Sequence, residues 1–354
     1  MVMPLSTIVS PASLTAFSPL GKVALQPPVA SPVESRAVPL PLLPENVPPI
    51  TGGYPVRPAG TSHESGEHSI GRVVYVGGQP FALGDSLHIA RDGLSTVHRA
   101  WSGSLNQSIV VKAYRASSPE ERAVAQQRVE MEARRLIKIR AAGLKAPEVF
   151  GVSSLADHEA SIIMEELEGS NLQAMLSNPQ RKYSFDHIQT AVQVVKLVND
   201  LYSKAHILHR DLKAAQFIIN TSSEVFLLDF GSSVDRDNIN DGRHIRTGAT
   251  RGFVAPERLS ATSAGDETAM TQQDIFALGQ VLRQILGRNP NTVRPADGRT
   301  VVRVQPINGI PKALNDIVLM MLSPQPEHRP SFQEVLSVFT PFLPLNISSA
   351  SSAA

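Results

Sequence analysis

The strongest constraint on this chain is a division in its hydrophobic patterning. From about residue 70 to 115 the apolar positions come in short runs. RVVYV, SLHIA, STVHRAW and SIVVKAY read as strands, the last two paired around a turn near Asn106. One long stretch follows, SSPEERAVAQQRVEMEARRLIKIRAAG, with helix punctuation at both ends: Ser118 as N-cap, Pro119 at the first helical position, Glu121 closing a capping box and Gly143 as the stop. Beyond it EASIIMEEL reads as a strand and SFDHIQTAVQVVKLVNDLYSKA as an amphipathic helix begun by Ser184. QFIIN and VFLLD read as two short strands around a turn at 221–223. Residues 273–287 and 311–340 read as helical apart from a break at SPQPEHRP. A β-rich first part and a mostly helical second part predict an α+β architecture of two lobes.

Residues 1–68 stand apart. Pro, Ser, Ala, Val and Leu dominate, and repeated prolines remove helix and ladder hydrogen bonds, so a disordered leader is expected there. Lys22 is its only charged side chain before Glu34, and no basic region precedes a continuous apolar run, which speaks against a standard secretory signal. The acid-poor, Ser/Thr/Pro-rich start resembles two kinds of address, the export signals of bacterial type III effectors and plastid transit peptides; a plain regulatory tail is the third reading, and the three stay open. They imply, respectively, secretion into a host cytoplasm, a plastid, or a cytoplasmic protein. Residues 344–354 are expected to be a disordered tail. The chain has no cysteine, which excludes a disulfide scaffold, a Cys nucleophile and zinc thiolate sites. A net charge of +1 offers no field toward nucleic acid, and no apolar run reaches the roughly 18 residues of a membrane span.

Seven short motifs follow one another in order: VVK (Lys112), a helix bearing Glu130 and Glu132, HRDLK (Asp211), LDFG (Asp229), ATRGFVAPE (Thr250, Glu257), DIFALG (Asp274) and HRPS (Arg329). Together they closely resemble the eukaryotic-type protein kinase family over roughly residues 83–343. The resemblance implies a kinase domain over 69–343, with an N-lobe to about 167 and a C-lobe from 168. It also implies ATP and Mg²⁺ (or Mn²⁺) as cofactors and a protein substrate, of a host cell if the export reading holds.

Physical chemistry narrows the roles. Lys112 ends an apolar strand, and a lone buried Lys needs a carboxylate. Glu132 shares a helix face with Val129 and Leu136, whereas Glu130 points about 160° away at 100° per residue, so Glu132 is the expected partner. Family resemblance makes Lys112 the contact to the α and β phosphates and Asp211 the group that accepts or orients the substrate hydroxyl proton. Lys213 would neutralise the transferring phosphate, Thr250 would bond both, and Asp229 would hold Mg²⁺. Met164 would guard the back of the adenine pocket, backbone groups of Glu165 and Leu167 would bond the base, and Val97, Val110 and Ile218 would sandwich it. His209 and Phe230 would pack, Glu257 and Arg329 would form a buried ion pair, and Asp274 would hold the catalytic-loop backbone.

Two departures matter. The positions of the family's phosphate-binding glycines fall on Ala90, Asp92 and Ser95, with Gly93 nearby, and an acid there repels ATP. Gln216 stands where the family has an Asn ligand to the second metal; it keeps the carboxamide oxygen and adds one methylene. Lys213 and Thr250 match the Ser/Thr-specific pattern, while Ala214 and Ala215 are less usual for it. Arg210 is a candidate partner for a phosphate on the segment 229–257, with Thr247 the best-placed carrier and Ser232 and Ser233 behind it. Arg236, Arg243, Arg246 and Arg251 are read either as part of such control or as solvated charge. The competing functions are a pseudokinase that presents a surface to partners, favoured by Asp92, Ser95 and Gln216, and a small-molecule kinase of the aminoglycoside type, disfavoured by the APE and HRPS anchors.

Overall fold

The computed structural model describes residues 73–76, 79–89, 95–102, 106–153, 159–238, 250, 252–259, 267–289 and 305–343. The expected leader and tail, Ala90, Asp92, Gly93, Thr247, Arg243, Arg246 and Arg251 lie outside them.

Strands β1 (Val73–Val76), β2 (Gln79–Ile89), β3 (Ser95–Ser102), β4 (Gln107–Arg115), β5 (Val149–Ser153) and β6 (Glu159–Glu165) form one six-stranded sheet in the order β1-β2-β3-β4-β6-β5. All its pairings are antiparallel. The β3–β4 turn contains Asn106 at φ 50°, a left-handed conformation that Asn tolerates better than most residues. On β4 the inner run Val111, Lys112, Ala113 and Tyr114 is buried.

Helix α1 (Pro119–Ala141) starts where the sequence places it. The Ser118 hydroxyl accepts from the Glu121 N–H at 3.2 Å, but the Glu121 carboxylate reaches back to the Ser117 N–H at 2.6 Å rather than to Ser118, so the box closes one residue early. Gly143 adopts φ 75° just past the end, the left-handed stop that suits glycine. Val129, Ala133, Leu136 and Ile139 line its buried stripe, and Glu132 joins them at 2% exposure.

The helical part contains α2 (Leu172–Ser177), α3 (His187–Ser203), α4 (Pro256–Leu259), α5 (Glu267–Gly287), α6 (Lys312–Met321) and α7 (Phe332–Phe339). Strand β7 (Ser170–Asn171) pairs with β9 (Phe217–Ile219), which pairs with β10 (Val225–Leu227); β8 (Ile207–Leu208) pairs with β11 (Val234–Asp235). The cap of helix α3 lies two residues later than the sequence suggests. Asp186 caps it, accepting from the Ile188 and Gln189 N–H groups at 2.9 and 3.0 Å, while the Ser184 hydroxyl donates to the Arg181 carbonyl. An aspartate that satisfies two orphan donors outcompetes a serine whose hydroxyl is already spent on a turn. Helix α5 is buried along most of its length and carries Asp274 into the core at 2% exposure. The result is a sheet-built lobe with α1 packed on it and a helical lobe around α5, the bilobal α+β arrangement the sequence predicts.

Candidate active site

Lys112 is 8% exposed, and its Nζ donates to both Glu132 oxygens at 2.9 Å and to Asp229 Oδ1 at 2.7 Å. The helix phase that separated Glu132 from Glu130 thus corresponds to a real orientation: Glu130 accepts instead from Gln126, one turn back on the same helix. Tyr114 was not singled out from the sequence. Its hydroxyl donates to Glu132 Oε2 at 3.0 Å. Burial alone would lower the Lys112 ammonium, but Asp229 and Glu132 carry it well above its ordinary value. Burial likewise would raise Asp229, and Lys112 outweighs it, holding that carboxyl well below the usual carboxylate range. Burial first and Glu132 second push the Tyr114 phenol up, so it stays an O–H donor.

Asp229 sits at φ 62°, ψ 75°, a left-handed backbone that Asp tolerates better than most residues and that turns its carboxylate toward Lys112. Gln216 Nε2 donates to Asp229 Oδ2 at 2.9 Å from a side chain 6% exposed. A carboxylate only accepts, so the carboxamide must meet it with its NH₂ group. The sequence reading had the amide oxygen facing a cation; presenting that oxygen requires the amide to turn over. Gly231 lies so close that a Cβ there would stand 3.2 Å from the Tyr114 hydroxyl and 3.4 Å from Asp229 Oδ1.

A second constellation lies on the catalytic loop. Thr250 Oγ1 donates to Asp211 Oδ1 at 2.7 Å, Lys213 Nζ donates to Asp211 Oδ2 at 2.7 Å, and Lys213 also donates to Thr250 Oγ1 at 3.2 Å. Both oxygens of Asp211 are therefore oriented by charge-assisted or hydroxyl bonds. The loop backbone is fixed from below. Asp274 accepts from the His209 N–H at 2.6 Å and the Arg210 N–H at 2.9 Å, while Arg258 donates to the Arg210 carbonyl at 2.8 Å. Burial raises the Asp274 carboxyl, opposed by His209 and Arg210. His209, fully buried, bonds the Leu228 carbonyl through Nε2 and stacks edge-on against Phe230 at 5.1 Å. Glu257 and Arg329 form a bidentate pair at 2.7 and 2.8 Å, and the Arg329 side chain is 0% exposed.

Of the residues expected around an adenine, Val97, Val110 and Met164 lie on β3, β4 and β6 of the large sheet and Ile218 lies on β9. Val97 pairs with Lys112 across β3–β4, and Val110 pairs with Met164 across β4–β6. Met164 is buried, whereas Val97, Val110, Ile218, Glu165 and Leu167 are part-exposed. The Glu165 N–H is taken by the Glu148 carbonyl at 2.8 Å. Ser95 is described at the start of β3 and is part-exposed. Ser233, one of the suggested phosphate carriers, is 2% exposed and donates to the His209 carbonyl, so it serves the loop rather than solvent. Arg236 is no free cation: it bonds Glu267 and the Tyr202 carbonyl.

Two further side chains escaped the sequence reading. Arg135 donates to the Phe230 carbonyl at 3.0 Å and Lys138 bonds Asp235 and Asp237. Their spacing from Glu132, three and six residues along one helix, was the available signal, although nothing in it says which loop they meet.

For a divalent cation, the fit rests on the donor set. Asp229 offers an ionised carboxylate whose side chain is 41% exposed, a hard oxygen donor suited to Mg²⁺, while the Gln216 carboxamide beside it presents its NH₂ group and would add an oxygen only with the amide turned over. Among the described residues no group of three or more His, Asp or Glu side chains forms a cage of its own. Mg²⁺ commonly binds through one or two carboxylates completed by substrate phosphates.

An ion-paired lysine on β4, an acid held by a lysine and a threonine, and an ionised acid bonded to the first lysine are an arrangement suited to phosphoryl transfer. The protein kinase domain family model matches residues 89–339, and the chain belongs to that family. It is similar to the RasGEF domain-containing serine/threonine-protein kinase X of Dictyostelium discoideum, 28% identical over 207 residues that make up 55% of this chain and 21% of that relative. The chain therefore matches about a fifth of that relative's length.

Proposed function

We propose that the chain is a catalytically active, ATP- and Mg²⁺-dependent protein kinase that phosphorylates Ser/Thr hydroxyls. The observation that carries this reading is the Asp211–Lys213–Thr250 constellation, in which an acid is aimed and a cation is held beside it. In the reaction the substrate hydroxyl oxygen bonds the γ-phosphorus, the bond to the ADP oxygen breaks, and Asp211 takes the hydroxyl proton. Lys213 supplies positive charge at the transferring group, and Thr250 keeps both side chains in register. Lys112, fixed by Glu132, orients the α and β phosphates; Val97, Val110, Met164 and Ile218 hold the adenine, with backbone groups of Glu165 and Leu167. Asp229 would be the principal residue holding the metal, and Gln216 would add its oxygen with its amide turned over. Bound Mg²⁺ would supply neutralisation of the charge on the phosphates. Arg210, part-buried beside Arg258, remains the candidate to receive an activation-segment phosphate.

The Ser/Thr assignment is supported by Lys213 and Thr250 and by the Ser/Thr kinase named above. The test is transfer of labelled γ-phosphate to Ser-, Thr- and Tyr-containing peptides and proteins by wild type, Asp211→Asn and Gln216→Asn. Transfer to Ser or Thr that Asp211→Asn abolishes supports the reading. Equal labelling by wild type and Asp211→Asn, or none with Mg²⁺ or Mn²⁺, overturns it in favour of a pseudokinase that binds partners without transfer.

A further inference from the structure

Helix α1 bonds the segment after Asp229 through Arg135 and Lys138, which follow Glu132 at three-residue intervals along it. Glu132 meets Lys112 close beside Asp229 and Gly231, Arg135 donates to the Phe230 carbonyl, and Lys138 Nζ donates to Asp235 Oδ1 and Oδ2 at 2.9 and 3.0 Å and to Asp237 Oδ2 at 2.9 Å. Spacing of i, i+3, i+6 makes a slowly turning row on a helix, so the segment 229–237 runs along that row. Lys138 is the outermost of the three, and it joins side-chain charge of the helix to side-chain charges of the segment.

The segment is itself fixed to the helical lobe. Asp235 and Asp237 face Lys138, whereas Arg236 between them, at the start of a 3₁₀ turn over Arg236–Asn238, bonds Glu267 at 2.6 Å and the Tyr202 carbonyl at 2.9 Å and lies over the Tyr202 ring at 3.9 Å. Its backbone is held by the β8–β11 pairing and by the Arg236 N–H to the His206 carbonyl, and the His206 ring nitrogen meets Asp237 Oδ1 at 2.9 Å. Lys138 thus ties the helix that carries Glu132 to a strand embedded in the other lobe.

We infer that Lys138, with Asp235 and Asp237, is a built-in charge clamp that keeps α1 in the position where Glu132 pairs with Lys112, so that the ATP site is assembled without a phosphate on the activation segment. Lys138 is a positioning residue: it touches neither Lys112 nor the catalytic loop and acts through the helix. The inference rests on the kinase reading for its ATP site but not on turnover. Two carboxylates of the segment do for this helix what an added phosphate would do, which is to give its cationic end an anionic partner. The Lys138 side chain is 34% exposed, so the clamp is salt-sensitive, unlike the buried Lys112–Glu132 pair.

The test uses the full chain after phosphatase treatment: wild type, Lys138→Gln, Lys138→Arg and Asp235→Asn, at low and high salt. ATP affinity is read by displacement of a fluorescent ATP analogue, and hydrogen exchange of α1 is read without nucleotide. Phosphatase-treated wild type is expected to keep its ATP affinity. Lys138→Gln is expected to weaken it about fivefold at low salt, with faster exchange in α1 and no difference from wild type at high salt. Asp235→Asn should act in the same direction, and Lys138→Arg should restore wild-type behaviour. Loss of ATP affinity on phosphatase treatment, or a Lys138→Gln variant with wild-type affinity and α1 exchange at low salt, overturns the clamp. A wild type that binds ATP but transfers no phosphate fails the kinase reading while leaving the clamp standing.

Discussion

At the scale of single residues, the site depends on acids whose charge is held by neighbours. Thr250 is the smallest group in it and the clearest test: its hydroxyl donates to Asp211 and accepts from Lys213. Thr250→Ala is expected to lower kcat about tenfold or more, the size of a lost bond to a charged group, with little change in the melting temperature. Thr250→Ser, which keeps the hydroxyl, should retain most of the rate, and a steady-state assay separates the two. Asp229 and Lys112 give a pH prediction. The Asp229 carboxyl lies below its ordinary value of 3.8, so its stabilising contribution is present above about pH 4 and is lost as pH falls through the lower, folded value. The Lys112 ammonium lies above 10.5, so its contribution is present below that pH and is lost as pH rises through the higher, folded value. The stability difference between wild type and Asp229→Asn should therefore be flat from about pH 5 to 9. Denaturant titrations at several pH values would show a slope in that window if the pair were not ionised.

At the scale of elements, two contacts decide how the helical lobe is held. Gly279 faces α6 so closely that a Cβ would stand 2.9 Å from Met321 Cβ and 3.0 Å from Leu322 Cδ2. Gly279→Ala forces α5 and α6 apart, and a loss of about 1–3 kcal/mol is expected in chemical denaturation despite the gain in helix propensity. Arg329 joins α7's leading turn to α4 through Glu257, with further bonds to the Ser323 and Gln272 carbonyls and Phe276 beneath its guanidinium. Arg329→Met leaves Glu257 without its bidentate partner and should cost about 3–5 kcal/mol. Arg329→Lys should recover only part of it, because an ammonium cannot reproduce the planar fork. Helix limits were legible in the sequence where one capping signal stood alone, as at Ser118 and Pro119. They were misread where two competed, as at Ser184 and Asp186, because the choice depends on which side chain is free to turn inward.

At the scale of the whole molecule, the kinase reading predicts that ligand binding adds to global stability. Mg²⁺ and ATP at about 100 times Kd should stabilise wild type by about 2.7 kcal/mol, seen as a rise in melting temperature, and Lys112→Met should abolish that rise. The order of motifs from Lys112 to Arg329, the phase that picks Glu132 over Glu130 and the capping of α1 were all readable from the chain, because each is a local pattern of spacing. Asp229 as a second partner of Lys112, 117 residues away, the NH₂ face of Gln216 turned to that acid, and Arg135 and Lys138 bound to the following segment were not. Sequence spacing fixes which face of a helix or strand a side chain occupies. Which charged group it meets across a hundred residues is decided only when the lobes pack, because burial then leaves each charge no partner but the one that folding brings beside it.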